Sequence, residues 1–109
     1  MHLKGTFKTR VAYKPRIGLS EDLDLPIFGP EEQLLVRADG QAGVRASGNE
    51  LVNSSDYAYI TTRKMNRQDE IACTEDGYGF MPVKAVEPLR DVRGKIVAYV
   101  IYAGALGGG

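Results

Sequence analysis

The sequence predicts an all-β fold, a small single-domain antiparallel β-barrel with long loops. Three observations carry that prediction. Short segments of two-residue hydrophobic alternation recur along the chain, glycine- and proline-bearing turn signals separate them at fairly even spacing, and no window shows the 3.6-residue period of an amphipathic helix. Roughly six such strands have edges to hide, and closure into a barrel removes the edges altogether. The chain has 109 residues, room for one core, and its 43% hydrophobic and 26% charged residues are an ordinary globular balance.

Leu3 to Tyr13 alternates, with Leu3, Phe7, Val11 and Tyr13 on one face and Lys4, Lys8 and Arg10 on the other, as a half-buried strand does. From 14 to 32 the pattern breaks. Pro15, Gly18, Pro26, Gly29 and Pro30 predict a long irregular loop, and its apolar Leu23, Leu25, Ile27 and Phe28 predict docking, either onto the domain itself or onto a neighbour. Gln33 to Ala38 is a short apolar strand followed by an Asp39-Gly40 turn signal, with Val44 to Ser47 as a segment to pair back and Gly48-Asn49 as a second turn. Ser54 to Thr62 alternates Tyr57 and Tyr59 against Ala58 and Ile60.

Asp69 to Thr74 is the next strand, joined through Glu75-Asp76-Gly77 to Tyr78 to Glu87, where Pro82 argues for an edge or a bulge and Pro88 for the strand's end. Asp91 to Gly94 reads as the last hairpin turn. Lys95 to Tyr102 is apolar enough to be buried on both faces. The domain therefore spans 1–103, and 104–109 reads as a flexible Gly-rich tail.

Lys plus Arg and Asp plus Glu both number 14, so net charge is zero, which argues against a protein that coats nucleic acid. The charges are unevenly placed. Lys4, Lys8, Arg10, Lys14 and Arg16 precede an acidic run of Glu21, Asp22, Asp24, Glu31 and Glu32, a dipolar surface that either helps subunits find each other or is simply solvated. Lys8, Arg10, Glu21, Asp22, Asp24, Phe28, Glu31 and Glu32 are therefore candidate subunit-interface residues.

Catalysis, metals and cofactors find no support. His2 is the only histidine and Cys73 the only thiol, so nucleophilic triads and His/Cys metal sets are not credible, and Glu21, Asp22 and Asp24 lack calcium-loop spacing. Gly77-Tyr78-Gly79 is a turn rather than a phosphate loop. Cys73 reads as a buried or half-buried thiol, and one cysteine excludes an internal disulfide. No apolar run approaches the ~20 residues of a membrane span, and no signal-peptide core is expected. Tyr57 and Tyr59, with Tyr78, Tyr99 and Tyr102, either form a base-stacking platform or pack core and subunit contacts; Arg63, Lys64 and Arg67 form the best basic cluster, either a phosphate patch or a solvated turn.

The segments GNELVNSSDYAYITT (Gly48 to Thr62), RQDEIACTEDGYGFMPVKAVEPL (Arg67 to Leu89) and DVRGKIVAYVIYA (Asp91 to Ala103) resemble the stopper, or head-completion, proteins of the head-to-tail connector of long-tailed bacteriophages. The likeness covers roughly the C-terminal half: a Tyr-bearing strand, an Asp-x-Ile strand, a Gly-Tyr hairpin, a Val-x-x-Val strand and an Asp-to-Gly turn into the last strand. It implies a β-barrel subunit of a homo-oligomeric ring, six- or twelve-fold, in the virion neck and assembled in the bacterial cytoplasm. The ring would sit between the portal or adaptor ring and the tail terminator or tail tube, close the channel after packaging of double-stranded DNA, and offer the tail its attachment surface, with no enzymatic activity, cofactor or membrane. It also implies a channel-gating loop between Asp39 and Asn53, with Gly40, Arg45, Gly48, Asn49 and Glu50 as candidates. The alternatives are a tail terminator or other neck protein, or a small nucleic-acid-binding barrel.

Overall fold

The computed structural model describes residues 7–23, 25–41, 56–73 and 79–104. Eight strands follow one another: β1 (Thr9–Lys14), β2 (Arg16–Leu19), β3 (Pro26–Phe28), β4 (Glu32–Gln41), β5 (Tyr57–Thr61), β6 (Glu70–Cys73), β7 (Met81–Arg90) and β8 (Ile96–Ala103). Six of them close into an antiparallel barrel in the order β1-β4-β5-β8-β7-β6, and β2 and β3 form a separate two-stranded sheet. The all-β barrel expected from the alternation is the fold.

Period-two patterning explains why the strands bury as they do. Val11 and Tyr13, Val36, Tyr59, Ile71 and Cys73, Val83, and Ile101 and Ala103 come from all six barrel strands and fill one cluster, the barrel interior. The opposite faces of β5, β7 and β8 supply Ala58, Ile60, Ala85, Ala98, Val100 and Tyr102 to a second cluster, joined by Phe7. The inner half of β8 is thus buried on both faces, as its unbroken apolar run requires. Phe7 departs from its expected face: it joins the outer cluster while Val11 and Tyr13 point inward. Burying one such side chain is worth about 1.5–3 kcal/mol.

Bulges set which face each part of β7 presents. Val83 opposes Ala103 and Ala85 opposes Tyr102, so Lys84 is an extra residue on β7. Before it Val83 faces the interior; after it Ala85 and Leu89 join the outer cluster and Val86 faces inward. The same bulge aims Lys84 at Asp56, where Nζ and Oδ2 form a nearly buried ion pair at 3.0 Å.

Four expectations are corrected. The stretch 14–32 is not irregular: β2 and β3 pair within it, because Pro15 precedes β2, Pro26 opens β3 where no inner donor is needed, and Gly18 lies beside a register shift at Ile17. Asp39-Gly40 does not turn the chain but lies inside β4, where a bulge between Ala38 and Gln41 absorbs the residue that tolerates special backbone angles. Pro88 does not end β7. It pairs opposite Tyr99, and β6 matches β7 only at Met81 and Pro82, so the missing N–H has no partner to deprive. Gly104 is buried and donates its N–H to the Pro82 carbonyl at 3.3 Å, so it belongs to the packed domain rather than to a tail.

The Asp91 to Gly94 turn matches its reading. Gly94 N–H donates to the Asp91 carbonyl at 2.9 Å, Gly94 adopts φ +83°, and Asp91 Oδ1 accepts from the amides of Arg93 and Lys95.

Candidate functional site

The sheet of β2 and β3 stands apart as an arm. Ser20 N–H donates to the Leu25 carbonyl at 2.8 Å and Ser20 Oγ accepts from Leu23 N–H, so the tip is a closed, locally bonded turn. Yet Ile17, Leu19, Leu23, Leu25 and Ile27, five large apolar side chains, are between 43% and 70% exposed. Single exposed hydrophobics are ordinary, but five on one short two-stranded sheet are an unusual concentration of open apolar surface. The arm meets its own barrel at its root, where Arg16 and Phe28 lie near Gln68 and Glu70, and these five side chains stay open. Its tip also carries Glu21 and Asp22, both exposed.

A buried carboxylate fixes the arm's root. Asp69 is 1% exposed, and its side chain accepts from Tyr13 Oη at 2.6 Å, from Arg16 N–H at 2.8 Å and from Asn66 N–H at 2.7 Å. One residue thereby ties the end of β1, the first residue of the arm, and the segment before β6. Three donors on one buried carboxylate offset its desolvation. Tyr13 is held protonated well above its ordinary pKa, first by burial and then by its hydrogen bond and proximity to Asp69.

The segment that Asp69 grips at Asn66 is one wall of a groove. Lys64, Arg67, Lys84, Pro88, Ile96 and Tyr99 are among its lining, and its volume is about 520 Å³. It runs along β7 where β6 no longer pairs. Among the described residues no acidic side chain pairs with Lys64 or Arg67. Arg63 is different. Its Nε and Nη2 donate to Glu32 Oε1 and Oε2 at 3.1 and 3.0 Å, and its guanidinium lies 5.2 Å from the centre of the Tyr13 ring. That fork holds the Glu32 carboxyl below its usual range and raises the Arg63 guanidinium further.

The structure splits the acidic run that the sequence grouped. Glu21 and Asp22 lie at the arm's tip, whereas Glu31 accepts from Gln33 and Glu32 is already paired with Arg63 beside the barrel. Phe28 is half-buried at the arm's base, near Arg16 and Gln68. Lys8 and Arg10 are exposed, Arg10 beside Leu35, and Lys14 sits over the Phe80 ring at 4.2 Å. Asp24 lies outside the described residues, as do Arg45, Gly48, Asn49 and Glu50 of the channel-loop reading; Gly40 is within β4.

Of the five tyrosines weighed as a platform, Tyr59 and Tyr102 are 2% and 0% exposed and fill the two cores, as the packing alternative has it, while Tyr57 and Tyr99 are half-buried against the interior cluster and Tyr78 lies outside the described residues. Cys73 is fully buried. Among the described residues no three His, Cys, Asp or Glu side chains are placed to hold a metal ion. Sequence reasoning missed the exposure of Ile17 and Leu19 and the convergence on Asp69, since neither leaves a periodic trace. Comparison with family models, with curated proteins and with solved structures returned no match to this chain.

Proposed function

We propose that this chain is a structural protein of the phage head-tail connector, a ring-forming stopper that closes the portal channel after DNA packaging and presents the tail-attachment surface. The observation that supports it most is the arm: a closed barrel that satisfies its own edges nevertheless extends a hairpin with five exposed apolar side chains, a surface that makes sense only in an assembly. The subunit works by shape and contact. Its zero net charge suits a plug that blocks DNA sterically and releases it, since each added phosphate contact would tighten retention. An all-β barrel also favours the stopper over tail terminators, whose plan is mixed α/β.

The test is electron microscopy of particles assembled with and without the protein. Without it, filled heads should leak DNA and fail to take tails. Tailed particles that keep their DNA would overturn the reading.

A further inference from the structure

We propose that the acidic, apolar arm tip of one copy seats in the basic groove beside β7 of the next copy, a contact that rests on the ring-forming reading above. The two surfaces match in charge: Glu21 and Asp22 have no cationic partner among the described residues, and Lys64 and Arg67 have no acidic one. They match in polarity too, because exposed Leu23 and Leu25 on the tip meet Pro88, Ile96 and Tyr99 in the groove. At about 520 Å³ the groove has the volume of pockets that seat a compact ligand, enough for a hairpin tip's side chains. The tip is exposed in its own chain, so the groove's occupant comes from a second copy.

Asp69 gives the contact its geometry. It bonds the arm at Arg16 and the groove wall at Asn66, so donor and acceptor surfaces are fixed relative to each other through one buried carboxylate. A tip-to-groove contact is heterologous, and a fixed angle between its halves repeats the same rotation from copy to copy, which is how such contacts close into rings.

Disulfide trapping tests this with the whole chain. A chain carrying Glu21→Cys and Lys64→Cys is oxidised with diamide at about 1 mM, where even a contact with Kd of about 1 mM is well populated. Buried Cys73 stays out of the reaction. A ladder of dimers, trimers and larger species is expected, with each single variant stopping at dimers. A ladder no stronger than that from Glu21→Cys with Arg10→Cys would overturn the contact.

With cysteines at Leu23 and Ile96 instead, Lys64→Glu with Arg67→Glu should cut the ladder about tenfold, and adding Glu21→Lys with Asp22→Lys should restore it. No restoration counts against the charge pairing. In assembled particles, capture of the tip cysteine by a different neck protein would also overturn self-docking. A solution ladder from a protein whose absence leaves particles sealed and tailed would remove the stopper reading and keep this contact. Particles that need the protein, but whose copies give no ladder, would do the reverse.

Discussion

Tyr13 donates its hydroxyl to Asp69 Oδ2 at 2.6 Å, across 56 residues of sequence and inside the barrel. This bond joins the end of β1 to the residue that anchors both the arm and the groove wall, so arm and groove share one buried point of support.

Tyr13→Phe should destabilise the protein by about 1.5–3 kcal/mol, the worth of a buried hydrogen bond to a charged acceptor, as read by urea unfolding. The pH dependence follows from the raised pKa. The folded state holds the proton more tightly than the unfolded state, so this stabilisation is complete below about pH 10 and is lost as pH rises above that value. Wild type should therefore lose more stability than the Phe variant between about pH 9 and 11. Parallel curves would show that Tyr13 is not the group responsible.

Asp69→Ala strands three donors at once and should cost at least about 3 kcal/mol. The amides of Arg16 and Asn66 should exchange with solvent much faster in the milder Asp69→Asn variant, which keeps one acceptor oxygen. Unchanged protection at both amides would mean that the arm is held some other way.

Gly104→Ala should destabilise by about 1–3 kcal/mol, because a methyl group there collides with the Asp56 carboxylate. Truncating Lys84 to Ala should destabilise by removing its nearly buried ion pair with Asp56, at a cost above the roughly 0–1 kcal/mol of a surface pair. Thermal unfolding of the two variants checks both, and a neutral Gly104→Ala would rule out the tight approach of Gly104 to Asp56.

The Glu32 and Arg63 pair is half-exposed, so its loss in Glu32→Gln should cost only about 0.2–1 kcal/mol and shrink further in high salt. Its carboxyl is depressed in the folded state. That contribution is present above the ordinary Glu pKa and fades as pH falls through the lowered one, so wild type and variant stabilities should converge in acid.

Alternation revealed the barrel because a two-residue period is a direct consequence of strand geometry, as in Tyr57 to Thr61, where Tyr59 enters one core and Ala58 and Ile60 the other; the unbroken apolar run of β8 instead signalled burial on both faces. It failed between Lys14 and Glu32 because β2 and β3 bury no side chain fully and so leave no strong apolar period, and Pro15 and Pro26 fall at strand starts, where strands tolerate them. Asp39-Gly40 carried the residues of a turn but lies inside β4, at the register shift between Ala38 and Gln41. The apolar character of the arm was legible in Leu23, Leu25 and Ile27, whose side chains the structure leaves exposed. The groove was not, since Lys64 and Tyr99 line it together only because β5 pairs with β8 across some forty residues of sequence, Thr61 opposite Tyr99.

The decisive measurement for the stopper role is electron microscopy of particles assembled with a chain carrying Leu23→Ser and Leu25→Ser. Both side chains are exposed, so the subunit's own stability should change by less than about 0.5 kcal/mol. Filled heads that lose their DNA and remain tailless despite a folded subunit are expected; sealed, tailed particles built with that variant would overturn the stopper role.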